Sequence, residues 1–146
     1  MRVTADNGRG VEVKDGGRGI PLLLVHGFPL SSEIFADMRP LVEQVGRVVA
    51  LDLPGFGSSD APESGYTMDE LAGEVIRVAN HLDLDLPAMV VDGAEDELTP
   101  VTEARELSEA LPRGRLQVIS EAGHTSPLEN PEVFGDAVAV FLRELD

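Results

Sequence analysis

The sequence predicts an α/β protein, a three-layer sandwich in which a mainly parallel sheet of about six strands, opened by an N-terminal hairpin, carries helices on both faces. Four short apolar runs, Leu22 to Val25, Val48 to Leu51, Met89 to Val91 and Leu116 to Ile119, read as strands buried on both faces. Each is separated from the next by a helix-periodic stretch, and strand-helix-strand crossovers of one hand stack their strands in parallel. The expected order of these four is second, first, third, fourth, which sets Leu22 to Val25 beside Met89 to Val91. Ligands in such sheets bind off the C-terminal ends of the strands, so the loop His26-Gly27-Phe28-Pro29 is the first place to look for chemistry.

Asn7-Gly8, between Val3 and the alternating Val11-Glu12-Val13, is a two-residue hairpin signal that predicts two short antiparallel strands at a sheet edge, with Asp15 to Gly19 as a loop. After the first parallel strand, Ser31 or Ser32 caps a helix over Ile34, Phe35, Met38, Leu41, Val42 and Val45, which Pro40 kinks or splits and Gly46 ends. The second strand empties into PGFGSSDAPESG, a turn-rich loop. Thr67 and Glu70 form a capping box for a helix whose apolar stripe is Leu71, Val75, Val78, Ala79 and Leu82. The segment Leu82 to Pro87 joins that helix directly to the third strand. Thr99-Pro100 opens a helix carrying Leu107 and Leu111. Asn130-Pro131 opens the last helix, with Val133, Phe134, Ala137, Val138, Phe141, Leu142 and Leu145 on one face.

A chain of 146 residues forms one domain, 1–146, burying roughly 68–70% of its unfolded surface. A formal charge of -16 repels nucleic acid and anionic membrane, which excludes both as expected partners. The absence of cysteine rules out disulfides, thiolate nucleophiles and cysteine metal sites. No apolar stretch is long enough for a signal peptide or membrane span, so a soluble, cytoplasmic protein is expected.

Four motifs, HGFP, ALDLPGFGSSD, DGAEDELTP and EAGHTSPLENP, come in an order that resembles the α/β-hydrolase superfamily, in particular its small esterase and enol-lactonase-like members. The resemblance runs from about Val11 to the C-terminus. It implies that Gly27-Phe28 lends a backbone N–H to an oxyanion hole, that Asp96 is the acid, and that His124 is the base. The family's nucleophile elbow, G-x-S-x-G, is missing, because LDLDLP runs straight into the acid-bearing strand. None of the eight serines lies between Gly65 and Val101. The resemblance implies that the elbow strand, its helix, the next strand and the lid are deleted relative to that pattern, and the acid-bearing strand is then expected to take the elbow's place beside the first strand.

Asp96 and His124 are thus candidates for a working acid and base, or relics that no longer meet. His26 reads as a loop anchor, His81 as a favourable charge at a helix C-terminus. Possible nucleophiles are Ser32, Ser31 and Ser59. Against them stand capping roles for Ser31 and Ser32, the family's use of GFGSSD as a structural loop around Ser59, and a loop hydrogen bond for Ser126; an activated water is the remaining attacker. Asp92, Glu95, Asp96 and Glu97 lack calcium-loop spacing, and the glycines at 55 and 57 lack the lysine and helix of a phosphate loop, so neither a metal nor a cofactor is expected. The expected function is low-turnover hydrolysis of small carboxylic esters. The rival readings are a non-catalytic binding or oligomeric scaffold and a truncated or engineered form of a larger hydrolase. Because lost helices and lid leave apolar surface wet, at about 2.5 kcal/mol per 100 Å², a homodimer is expected, with elements exchanged through Leu82 to Pro87.

Overall fold

The computed structural model describes every residue except 5–7, 85–88, 99, 111–114 and 146, and leaves out the side chains of Met68, Glu103, Leu107 and Ala110. The expected turn at Asn7, the cap at Thr99, the apolar positions Leu107 and Leu111, and most of the Leu82 to Pro87 joint therefore lie outside the described residues.

Strand β1 (Arg2–Thr4) pairs antiparallel with β2 (Gly10–Gly17), with Val3 opposite Val11. The strand β2 runs through the predicted loop to Gly17. It does so because Lys14, Asp15, Gly16 and Gly17 pair with the strand β4 (Arg47–Leu51), and Asp15 accepts from Arg47 at 2.6 and 3.0 Å. Strand β3 (Pro21–Val25) lies parallel on the other side of β4, from Pro21 opposite Arg47 to Val25 opposite Leu51. Flanked on both sides, β4 has Val48, Val49, Ala50 and Leu51 all at 0% exposure, as its unbroken apolar run requires.

The predicted helix after β3 is split as its proline demands, into a 3₁₀ turn Ser32–Phe35 and α1 (Arg39–Val42), with Pro40 in the first turn of α1. Helix α2 (Met68–His81) opens on the capping box, Thr67 Oγ1 accepting from Glu70 N and Glu70 accepting from Thr67 N. Its Leu71 and Val78 close a core with Val3, Val11, Val13, Val49 and Leu51 on one face of the sheet.

Strand β5 (Met89–Gly93) pairs in parallel with β6 (Arg115–Ile119), and α3 (Val101–Ala110) connects them. After β6 come a short helix α4 (Ser126–Glu129) and α5 (Pro131–Arg143). Phe134, Val138 and Leu142 of α5 fill the second core with Leu22, Leu24, Met38, Val42 and Ile119, whereas Val133, expected on the same face, is exposed.

The six strands among the described residues thus fall into two hydrogen-bonded groups, β1-β2-β4-β3 and β5-β6. This corrects the expected pairing of Leu22 to Val25 with Met89 to Val91, which does not form. β3 spends its ladder on β4 and β5 spends its ladder on β6, while α5 packs on α1 and on β6, so β5 shares the core through Met89 and Val91 without pairing with β3.

Candidate active site

The site is assembled from three turns. The first leaves β3 as His26-Gly27-Phe28-Pro29, where Leu30 N donates to Gly27 O at 2.9 Å and the Phe28–Pro29 peptide is cis. His26 is buried; its Nε2 accepts from Leu53 N at 3.0 Å and its Nδ1 donates to Gly27 O at 2.9 Å. Both ring nitrogens are spent on the backbone, which fixes the tautomer and gives this histidine the anchoring role its sequence position suggests.

The second turn leaves β5. Ala94 N donates to Ile119 O, Glu95 N to Ala122 O and Asp96 N to Gly93 O. Gly93 has no room for a side chain, because a Cβ there would overlap the carbonyls of Ala122 and Gly123. That close approach delivers Asp96 to the third turn, which leaves β6. Asp96 Oδ2 accepts from His124 Nδ1 at 2.9 Å, and Asp96 Oδ1 accepts from Leu98 N at 2.8 Å. The Asp96 carboxylate is almost wholly buried, while the imidazole keeps a quarter of its surface open.

Sequence reasoning missed how His124 is held. Glu129 accepts from Gly123 N at 2.8 Å, Thr125 N at 2.9 Å and Thr125 Oγ1 at 2.7 Å, gripping the backbone on both sides of the histidine. The donors at Gly123 and Thr125 hold the Glu129 carboxyl below its ordinary range. The only trace in the sequence is an acidic residue four positions after Thr125, in the first turn of α4. It also missed Asp52, buried at the end of β4. Asp52 Oδ1 accepts from Ser32 N at 2.7 Å and Oδ2 from Ser58 N at 2.8 Å, pinning the loop after β4 to the 3₁₀ turn. Burial raises its pKa, but the donors at Ser32 and Ser58 outweigh that and leave it lowered.

His124 has its pKa raised, first by the bond to Asp96, against which burial acts, and further by the Phe28 carbonyl. Nε2 stands 3.4 Å from Phe28 O. With Nδ1–H turned to Asp96, that contact is favourable only when Nε2 also carries a proton, so the arrangement suits an imidazolium. Asp92, beside it at the end of β5, is buried with Oδ1 accepting from Gly93 N at 2.9 Å; burial first and then the charge of Asp96 push its carboxyl up.

Of the three candidate serines, Ser31 and Ser59 are engaged elsewhere and Ser32 is buried. Ser31 Oγ caps the 3₁₀ turn, accepting from Glu33 N at 3.4 Å. Ser32 is buried at 1% exposure. Ser59 Oγ donates to Asp52 O at 2.6 Å and accepts from Glu12 N at 2.8 Å, so its hydroxyl knits β2 to the loop after β4. Ser126 is buried at the start of α4. An open cleft of about 600 Å³ adjoins the site, lined by Pro29, Leu30, Ile34, Phe56 and Leu128 among others. The Phe56 ring packs edge-on to both His26 and Phe28. Among the described residues no cluster of His, Asp and Glu side chains is placed to hold a metal ion.

A family model described as alpha/beta hydrolase fold matches residues 20–90. The AB hydrolase superfamily protein YisY of Bacillus subtilis is 38% identical over 74 residues, 50% of this chain and 28% of that protein. A non-heme haloperoxidase of Rhodococcus erythropolis is 39% identical over 83 residues, 56% of this chain and 30% of that protein. The chain thus spans under a third of the length of these curated relatives. Among solved structures, a thermophilic esterase from Thermogutta terrifontis superposes with a TM-score of 0.81 at 19% identity, covering 99% of this chain and 98% of that one. An esterase from Exiguobacterium antarcticum gives a TM-score of 0.82 at 15% identity, covering 98% and 99%. At these identities the likeness is one of fold.

Proposed function

We propose that the chain is an α/β-hydrolase-superfamily protein and a low-turnover hydrolase of small, activated carboxylic esters in which His124, oriented by Asp96, activates a water. The observation that carries this reading is the 2.9 Å bond between His124 Nδ1 and the buried carboxylate of Asp96, with the imidazole edge open to solvent. A buried, acceptor-only carboxylate fixes the ring's tautomer and stabilises the imidazolium formed when Nε2 takes a proton. For that step Nε2 must release its proton and turn from Phe28 O toward water. The Phe28 N–H, preceded by Gly27, is the proposed donor to the developing oxyanion. The apolar cleft at Leu30, Ile34 and Phe56 suits a short acyl or alkyl group.

The test is hydrolysis of p-nitrophenyl acetate by wild type, His124→Ala and Asp96→Asn. General-base help is worth about 10²–10⁴ in rate, so His124→Ala is expected to remove the measurable activity and Asp96→Asn to reduce it. A fluorophosphonate probe is expected to leave the protein unlabelled. Stoichiometric labelling of Ser31, Ser32 or Ser59 would replace water with a relocated nucleophile. A second reading, a scaffold without chemistry, is favoured by the engagement of Nε2 with the Phe28 carbonyl; wild type and His124→Ala both hydrolysing the ester no faster than buffer would establish it.

A further inference from the structure

Asp92 is a buried acid for which the proposed hydrolysis has no use. It lies near the end of β5, opposite Val118 in the ladder with β6, and is 7% exposed. Its Oδ1 accepts from Gly93 N at 2.9 Å, whereas Oδ2 is shut off from solvent and meets no hydrogen-bond donor among the described residues. A buried carboxylate oxygen without a donor is costly when the group is charged. The turn Gly93 to Asp96, closed by Asp96 N on Gly93 O at 3.2 Å, folds the Asp96 carboxyl back toward that of Asp92, and the two groups come within hydrogen-bonding reach.

Two carboxyl groups in contact away from water cannot both be ionised, so one holds a proton that the other accepts. The donors decide which. Asp96 accepts from Leu98 N at 2.8 Å and from His124 Nδ1 at 2.9 Å, while Asp92 has the Gly93 N–H on one oxygen and nothing on the other. The charge therefore resides on Asp96. We infer that Asp92 is a neutral carboxylic acid whose Oδ2–H donates to Asp96, which makes it a positioning residue that holds the acid of the pair against His124. This proton satisfies the orphaned oxygen and ties Asp96 to β5 as well as to its own turn and the turn after β6. Burial first, and then the Asp96 carboxylate, push the Asp92 carboxyl up, against the smaller opposing pulls of Gly93 N and His124. The other acids of these turns, Glu95, Glu97 and Glu121, are exposed, and Glu129 is turned to Gly123 N and Thr125.

Asp92 has this role on the premise that Asp96 and His124 are the working pair of the proposed hydrolysis, and the test reads protons, not turnover. Absence of hydrolysis therefore bears on that function alone, and an ordinary titration of Asp92 on this role alone. The intact protein, labelled with carbon-13 at its aspartate carboxyls, is titrated by NMR. One carboxyl, assigned by its disappearance in Asp92→Asn, is expected to titrate last of the aspartates, well above the ordinary aspartate range. Exchange of the His124 Nδ1 proton is the second readout. Asp92→Asn, whose Nδ2–H replaces the acid proton, is expected to keep the wild-type rate. Asp92→Leu, which fills the volume without a donor, is expected to speed exchange on the order of tenfold, as the loss of one hydrogen bond gives. An Asp92 carboxyl that titrates among the exposed aspartates overturns the inference, and so does equal Nδ1 exchange in the Asn and Leu variants. If Asp92→Leu fails to fold, the wild-type carboxyl titration still decides.

Discussion

His124 decides how the site responds to pH. Its pKa is raised above 6.5, first by the bond to Asp96. A general base works only in its neutral form, so kcat/KM is expected to rise with pH through an inflection above that ordinary value. Asp96→Asn removes the main cause and is expected to move the inflection down. An NMR titration of the His124 ring gives the same shift independently of turnover. The sign for stability is opposite: a histidine raised on folding contributes stability that is full below its unfolded pKa and is lost as pH rises through the folded one. Gly93 is the second residue with a sharp prediction. Gly93→Ala forces a methyl into the carbonyls of Ala122 and Gly123, and overpacking of this kind costs about 1–3 kcal/mol. Separating the turns also lengthens the bond between Asp96 and His124, so activity falls along with the unfolding midpoint. The pair itself was legible in the sequence, because a turn glycine followed by an acid and a Gly-His pair are local patterns. Glu129 and Asp52 were not, since their partners are backbone N–H groups with no side-chain identity to read.

At the scale of single elements, local chemistry was the better guide. The capping box at Thr67 and the split at Pro40 both form where residue type alone places them. Thr67→Ala leaves the Glu70 N–H without its acceptor, and loss of such a cap costs about 1 kcal/mol. Thermal unfolding is expected to report that loss with hydrolysis unchanged, because α2 lies on the face of the sheet away from α5. The end of β2 was misread for a reason of the same kind in reverse. Asp15, Gly16 and Gly17 look like a turn, yet Val49, Val48 and Arg47 supply a ladder and an ion pair for them. Turn-forming residues yield to a strand when a neighbour offers hydrogen bonds, which no local window contains.

For the molecule as a whole, periodicity named the buried residues but not the spacing of the sheets. Met38, at 0% exposure, joins α1, α5 and β3 in one core, and Met38→Ala is expected to cost about 2–5 kcal/mol in denaturant unfolding. The composition of β3 and β5 reads as though they pair with each other, yet each pairs elsewhere, with β4 and with β6. Self-association, if light scattering finds a dimer at micromolar concentration, has a candidate face in Leu41, Val133 and Val140, exposed at 45%, 42% and 50%. A monomer under those conditions would discard that face. Asp96 and His124 both belong to the group built on β5 and β6, while the Phe28 loop belongs to the other. The chain is therefore modular at the connection between α2 and β5. New strands and helices spliced in there would lengthen the sheet from within and bring a further side chain to an Asp96–His124 pair already hydrogen-bonded, so a longer protein can be grown from this one by a single insertion.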